Sequence, residues 1–523
     1  MADGRRMIRI VTYFCFLLFA CAAGVVLAIF LPLKAAPVVA EKGNLAIIDV
    51  NIVDTIAGNI SLRKTVLIEQ GRIIEVLAAG EYQPRANFRE IPARDKYLMP
   101  GLWDMHTHSL KLSPQLHHPL FIRYGVTSIR DMSGCLTEPD SYWACPEDRR
   151  RWEREAIIGE RVSPRYHLQS SYQTNGGNEV PKSYPDFFRL DGAADAEQLV
   201  DFYAGQKVDF VKTYTELSAT QFDSVVRSAS GRDISLAGHK PLAISLPRAL
   251  AAGMDSIEHG RLFLFECYAG IEAFRQLESP ISHYDAQFMR QMLQNQDREL
   301  CSELMEAMAK SDATWVPTLT TLKMSAKSRE PTFREDPRLK YIPYIVRKLL
   351  WEQDINRASL KGYDAEQRFV HEDFFAAASE HVGLANRFGI KLLAGTDNID
   401  THVFSGASLH DELHMLVEAG LSPHEVIQSA TIDAARFADL DTEFGTVELG
   451  KNADLVLLNA NPLVDIRHSK SIEGVVFAGQ YFDSNALNEL DQYAVDMAGS
   501  LQLNVRFLFD ILASPLMRAQ LAD

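Results

Sequence analysis

Cysteine is scarce in this chain and basic charge is in deficit. Six cysteines occur in 523 residues. None forms a C-x-x-C pair, so a zinc ribbon or a thioredoxin-type redox site is unsupported. Lys and Arg number 53 against 69 Asp and Glu, a net charge of −16. That balance is wrong for tracking phosphate backbones, and nucleic acid is not an expected partner. The most basic cluster, Arg149, Arg150, Arg151 and Arg154, is interleaved with Glu147, Asp148, Glu153 and Glu155 and reads as a salt-bridged helix face. Internal repeats are absent, and so is low-complexity sequence beyond the N-terminal apolar run. Hydrophobic residues make up 47% and charged residues 23%, ordinary globular values that rule out disordered, collagen-like and coiled-coil chains. The length suggests about two to four domains, or one large α/β barrel with a smaller companion.

One long hydrophobic run is present. Arg5, Arg6 and Arg9 precede 24 uncharged, mostly apolar residues from Ile10 to Leu33. About 20 residues span a bilayer, whereas a secretory core is usually about 7–15. Residues 1–9 then form a cytoplasmic segment and 10–33 a signal anchor or transmembrane helix, with the lipid bilayer as partner. The charges before the span hold the N-terminus in the cytoplasm and place the rest outside it, in a periplasmic or extracellular location. Cleavage near Ala40, after Val38 and Val39, would instead release the chain. A lipoprotein reading at Cys21 fits less well, because the apolar run continues past it. Export agrees with the remaining cysteines, Cys135, Cys145, Cys267 and Cys301. Proximity favours Cys135–Cys145 and Cys267–Cys301, although four cysteines allow three pairings and could also be buried thiols.

Segments 44–100 and 441–484 are rich in short strand-like runs and read as one small β domain, a β-sandwich, built from both chain ends. Between them, 101–440 alternates strand-like and helical stretches, the pattern of parallel βα units. Eight candidate strands are Gly101–His106, Gly125–Asp131, Arg165–Ser170, Asp209–Tyr214, Ile234–His239, Met254–His259, Thr314–Leu319 and Ile390–Asp397. Eight such units would close an α/β barrel of the TIM, (β/α)8, type. Two helical insertions, 265–312 and 327–375, could cover its mouth. A helical tail, 485–523, ends the chain, and its Leu501–Leu516 portion is apolar enough to pack on the body or to lie on a membrane surface.

Polar residues collect at the ends of these strands. His106 and His108, alternating in Asp104-Met-His-Thr-His108, face one side and can grip one metal ion. Lys212 lies in the apolar run Phe210-Val-Lys-Thr-Tyr214, where an unpaired or unmodified ammonium would be costly. His239, His259 and Asp397 close three further strands. Active sites of barrels assemble at that face, and four His with one Asp suit zinc or a similar divalent ion. Tyr214, Tyr172 and Asn175 are candidate substrate contacts, the last two in the Ser170–Asn178 loop. Arg130 and Asp131 read as an ion pair under the site. His117 and His118 are expected at a solvent-facing helix start, and His402, His414 and His424 as surface or packing residues.

This ordered set resembles the metal-dependent amidohydrolase superfamily, in its imidazolonepropionase-like and prolidase-like branch. The likeness runs from about Leu45 to Asp483. It includes the opening Leu98-Met-Pro-Gly-Leu-Trp-Asp-Met-His-Thr-His108 and, near the end, Leu409-His410-Asp-Glu-Leu413 and Gly445-Thr-Val-Glu-Leu-Gly-Lys-Asn-Ala-Asp-Leu-Val456. The resemblance implies two divalent ions, zinc by default. His106, His108 and Asp397 would hold one and His239 and His259 the other, with an N-carboxylated Lys212 bridging them. It implies hydrolysis of an amide or dipeptide-like C–N bond by a metal-bridged hydroxide, with Asp397 moving the proton. His410 matches a family motif and could touch substrate or serve structure. Barrels of this kind often form homo-oligomers.

Three alternatives stay open. A deaminase on this fold commonly carries His-x-x-Glu, whereas Leu242 stands three residues after His239. An ester, lactone or phosphoester hydrolase would use the same ligands. A catalytically dead, membrane-tethered binding protein would be expected to have lost some of them.

Overall fold

A computed structural model describes residues 2–38, 42–136, 139–175, 180–277 and 280–520. The cleavage position at Val39–Ala40 and residues 176–178 of the candidate substrate loop lie outside them. The chain begins with the helix Ala2–Phe30. Its segment Ile10–Phe30 is 21 residues long, has a mean hydropathy of 2.6 and is not buried by the rest of the molecule. Length and composition would let it cross a membrane.

Strands β1 (Asn44–Asp54), β2 (Asn59–Glu69), β3 (Arg72–Leu77), β4 (Phe88–Pro92) and β5 (Tyr97–Pro100) follow. β1 is apolar over most of its length and rich in β-branched residues, which suits a pleated surface with a buried face. It bends at Asp49, where φ is 61° and the register with β2 shifts. Its first half therefore pairs with β4 and its second half with β5.

Eight parallel strands occupy the middle of the chain. They are β6 (Leu102–Thr107), β7 (Val126–Asp131), β8 (Arg165–Gln169), β9 (Phe210–Thr213), β10 (Ser235–Gly238), β11 (Met254–Glu258), β12 (Thr314–Val316) and β13 (Lys391–Leu392). All eight expected strands are present, each within a few residues of its expected bounds except the last. Every residue of β6 and β7 is buried, as short runs covered on both faces require. The strands form a three-stranded sheet, β6-β7-β8, and a five-stranded one, β13-β12-β11-β10-β9. Backbone bonds join the two sheets at both edges. Ser171 N donates to Phe210 O at 3.0 Å and Thr174 N to Lys212 O at 2.7 Å on one side. On the other, Met105 N donates to Ala394 O at 2.9 Å and Asp397 N to His106 O at 2.8 Å. The eighth strand keeps regular pairing for only two residues, because the chain beyond Leu392 is drawn across to His106. Gly395 permits that approach: a Cβ there would lie 2.8 Å from the His106 nitrogen.

The chain returns through β14 (Leu455–Leu458), β15 (Ile472–Phe477) and β16 (Gln480–Phe482). β14 pairs antiparallel with β5. Both chain ends thus build one eight-stranded sheet, in the order β16-β15-β14-β5-β1-β2-β3 with β4 beside β1. The strands expected to form one small β domain from both chain ends make this one hydrogen-bonded sheet, in which the bent β1 carries the pairing continuously from one half to the other.

The first insertion contains the helices Leu262–Glu266, Ile271–Arg275, Ala286–Gln294 and Arg298–Ala309. Asp297 caps the last by accepting from the backbone of Glu299 and Leu300. The second runs through Leu319–Lys327, several short turns, Glu352–Lys361 and His371–Phe388, where left-handed Gly389 ends the helix and hands the chain to β13. The tail folds as Ser484–Gly499, Leu501–Ala513 and Pro515–Gln520. Disulfides join Cys135 to Cys145 and Cys267 to Cys301, the pairing that proximity favoured.

Candidate metal centre

The expected ligands meet at the C-terminal ends of the parallel strands. His106 lies in β6 and His108 just beyond it, Lys212 in β9, His239 after β10, His259 after β11, and Asp397 five residues past β13. His108 Nε2 lies 2.7 Å from Asp397 Oδ1, and His106 Nε2 lies 3.4 Å from the same oxygen. These three side chains present ligand atoms all within 4.8 Å of one another. His239 and His259 face each other, Nε2 to Nε2, at 2.8 Å. His259 Nδ1 is 3.6 Å from Asp397 Oδ2. All six residues line one cavity of about 620 Å³.

Local backbone geometry is part of the construction. Asp397 has φ 61° and His259 φ 75°, conformations that cost energy for residues with a Cβ and cluster at functional sites. Gly238, at φ 122°, precedes His239. A Cβ on it would come within 2.5 Å of Thr213 O, so glycine lets β10 end against β9 and turn the histidine inward.

Electrostatics suit cation binding. Burial pushes His108 down and holds His239 and His259 well below the ordinary imidazole range, which keeps their lone pairs free. Burial opposes ionisation of Asp397, but His106 and His108 outweigh it and hold the carboxyl well below the usual range. Burial also lowers Lys212, whose Nζ donates to Met132 O at 2.9 Å. His106 Nε2 is buried and has no hydrogen-bond partner. An orphaned imidazole nitrogen beside a carboxylate and a second histidine fits a divalent cation.

Residues with no motif of their own support this cluster. His106 Nδ1 lies 2.8 Å from Glu258 Oε2. Glu258 Oε1 accepts from Arg130 at 2.7 Å and from Ser256 at 2.5 Å. Burial alone would raise Glu258, yet Arg130 and His106 bring it down to about 2. The expected Arg130–Asp131 pair is corrected here: Arg130 binds Glu258 at 2.7 Å, and Asp131 binds Arg149 at 2.9 Å. Arg149 is accordingly buried, apart from the salt-bridged helix face that Arg150, Arg151 and Arg154 form with Glu147 and Asp148. Asp104 holds Thr396 by its backbone at 2.9 Å and its hydroxyl at 2.6 Å, which ties β6 to the Asp397 turn. An acid inside an apolar strand was the available signal for Glu258 and Asp104. Sequence alone did not show which partners they meet.

The candidate substrate residues divide. Tyr214 lines the cavity and stacks on His239 with ring centroids 4.2 Å apart. Tyr172 does not reach it and packs in the main core. Asn175 is turned to the backbone, accepting from Glu216 N at 2.8 Å. His410 is also away from the cavity, bonded to Ser469 Oγ at 2.8 Å and Tyr124 O at 2.9 Å, a buried structural histidine. His118 corrects the solvent-facing expectation: it is fully buried, with Nε2 2.7 Å from the Tyr166 hydroxyl. His402 packs as expected, stacked on Phe333 and Trp351. The rest of the wall comes from loops and the insertions: Trp143, Arg261, Tyr284, Met289, Leu322, His371 and Phe374 among them.

The amidohydrolase family model matches residues 375–481, a stretch that contains Asp397 but not the His106–His108 pair. No curated protein matches the sequence. Solved structures share the fold. A Xaa-Pro dipeptidase with methionine bound in its active site superposes with a TM-score of 0.59 at 20% identity, covering 84% of this chain and 100% of its own. Bottromycin amidohydrolase gives 0.65 at 22%, covering 88% and 91%. A prolidase complexed with N-methylphosphonate-L-proline gives 0.56 at 20%, covering 84% and 99%. The resemblance to prolidase-like amidohydrolases read from the sequence is borne out by the family match and by this fold.

Proposed function

We propose that this protein is a metal-dependent hydrolase that cleaves an amide or dipeptide-like C–N bond, on a (β/α)8 barrel closed by the bonds that join the two parallel sheets. The observation that carries this reading is the convergence of His106, His108, His239, His259, Lys212 and Asp397 on one cavity. His106, His108 and Asp397 would hold one divalent ion and His239 and His259 a second. Lys212, as a carbamate, would bridge them: an ammonium cannot ligate a cation, whereas the carbamate offers two anionic oxygens. Divalent ions held there make water a nucleophile at neutral pH. The chain's own work is to orient and to move a proton. Asp397, kept ionised, accepts the proton of the attacking water at a carboxylate oxygen and passes it to the leaving nitrogen. Tyr214 braces His239, and Arg261 offers a cation to an anionic substrate group. The acids on the cavity wall are Asp397 and Asp400, and Leu242 stands where a deaminase would place its proton-carrying Glu.

The apolar N-terminal helix and the two disulfides support an exported, membrane-anchored protein. The test is metal content by plasma mass spectrometry on the full chain, purified in detergent without chelators, beside Lys212→Ala. About two ions per chain, falling in the variant, is the expected result. Hydrolysis of dipeptides and N-acyl amino acids should fall with it. A folded protein that takes up no metal overturns the reading.

A further inference from the structure

A second cavity, of about 190 Å³, adjoins the first. Its wall is largely apolar and includes Leu116, Leu120, Val346, Trp351, Phe404 and Phe507. Ile399 and Asp400 line both cavities, so one stretch of backbone divides them. Ile399 has φ 77°, a conformation that a β-branched residue avoids unless its surroundings impose it. Its neighbour Asn398 accepts from the His108 backbone at 2.6 Å and donates to Ser405 at 2.9 Å. The divide is therefore tied directly to the metal-ligand segment.

Phe507 brings the tail helix Leu501–Ala513 to the chamber, where it packs on Tyr142 at 5.7 Å. The same helix receives the end of the N-terminal apolar helix. Phe30 meets Phe509 edge to face at 6.2 Å, Arg506 donates to Ile29 O, and Gln502 donates to Leu31 O at 3.1 Å. Where an apolar helix leaves the body sets which face of the body meets a bilayer. On that face Leu501, Leu508 and Leu512 share one side of the tail helix and are 79%, 37% and 56% exposed. The adjoining segment is held to the tail by Ile345 N donating to Asn504 Oδ1 at 3.0 Å, and it exposes Tyr344 and Leu349. Large apolar side chains gathered around the root of an apolar helix fit a lipid surface.

We propose that the apolar chamber takes the acyl chain of an N-acylated substrate entering from the bilayer, so that its amide meets the metal centre across the Ile399–Asp400 divide. The chemistry rests on the hydrolase reading above; binding of the chain does not. Water adds across the C–N bond: the acyl carbon gains the hydroxyl, the nitrogen gains the proton, and a fatty acid and an amine leave with no redox change.

The test uses the full chain in phosphatidylcholine vesicles. N-dodecanoylglycine bearing a diazirine near the chain end is photolysed and the labelled peptides are mapped. In parallel, N-acetyl-, N-octanoyl- and N-dodecanoylglycine are compared as substrates. Val346→Trp fills the chamber, and Leu350→Trp on the same wall repeats the test with an independent substitution. Each buried methylene is worth a factor of about four. Label is expected on chamber residues, and kcat/KM should rise with chain length. Filling the chamber should cut both labelling and dodecanoylglycine turnover by about tenfold or more while acetylglycine turnover holds. Label confined to the N-terminal helix, or hydrolysis indifferent to chain length and to both variants, overturns the proposal and leaves the hydrolase standing. A labelled chamber with no acylglycine hydrolysed, on a chain that takes up metal, upholds chain binding and overturns the N-acylated substrate; the same outcome on a folded chain that takes up no metal overturns the hydrolase reading.

Discussion

His106 Nδ1 donates to the Glu258 carboxylate at 2.8 Å, and this bond sets which nitrogen of the imidazole faces the cavity. Glu258 is kept ionised by Arg130 and can only accept. The proton therefore sits on Nδ1, and Nε2 is left with a free lone pair. Glu258→Gln retains the shape and loses the charge. It should weaken metal affinity about 10–100-fold, measured by chelator competition on protein whose circular dichroism is unchanged.

In the proposed reaction Asp397 would move the proton of the attacking water. Asp397→Asn keeps an oxygen near His108 and removes the base. A loss in kcat of about 10²–10⁴-fold is expected, measured on a metal-loaded sample so that lost ligation is not mistaken for lost proton transfer.

Glu412 links stability to pH. It is buried on the helix Ala407–Glu418 and accepts from the backbone of Leu319 at 2.8 Å and Thr320 at 2.9 Å. Burial raises its carboxyl to about 8. The folded state thus keeps a proton that the unfolded chain loses above about pH 4.5. The contribution to stability is complete below that pH and is lost as pH rises toward 8. Glu412→Gln should flatten the fall of Tm across this window, and an unchanged slope would count against the assignment.

Arg261 lines the histidine-lined cavity beside Tyr284 and Asp400. A substrate carboxylate would pair with its guanidinium. Arg261→Met should raise KM about tenfold or more for substrates with a free carboxylate, with little change for their amidated counterparts.

Cys267–Cys301 closes a loop across 34 positions within the first insertion. Chain-entropy arguments make such a link worth roughly 3–4 kcal/mol. The double Cys→Ala variant should lower Tm and loosen the wall formed by Tyr284 and Met289, read as a faster loss of bound metal on heating.

The order His106, His108, Lys212, His239, His259, Asp397 was legible in the sequence, and so were the strands that carry it. Few residue types ligate a cation, and parallel strands are short apolar runs whose ends are easily marked. The two disulfides were legible for a related reason, since short separations bring cysteines together. Other features were settled by packing between distant segments. Glu258 meets His106 and Arg130 across more than 120 positions, and no local pattern announces such a contact. His410 matches a motif yet spends both ring nitrogens on Ser469 and Tyr124, because its helix turns it away from the cavity. Tyr172 and Asn175 sit in the expected loop but face the core and the Glu216 backbone. The bend at Asp49 joins β4 and β5 to one sheet, which alternation along the strand does not reveal. The chamber beside the histidine-lined cavity is walled by the tail, the second insertion and the Ile399 turn together. Composition and periodicity thus determined which side chains this protein carries and on which strands. Tertiary structure decided which of them share a wall, because burial and hydrogen-bond partners depend on segments far apart in the chain.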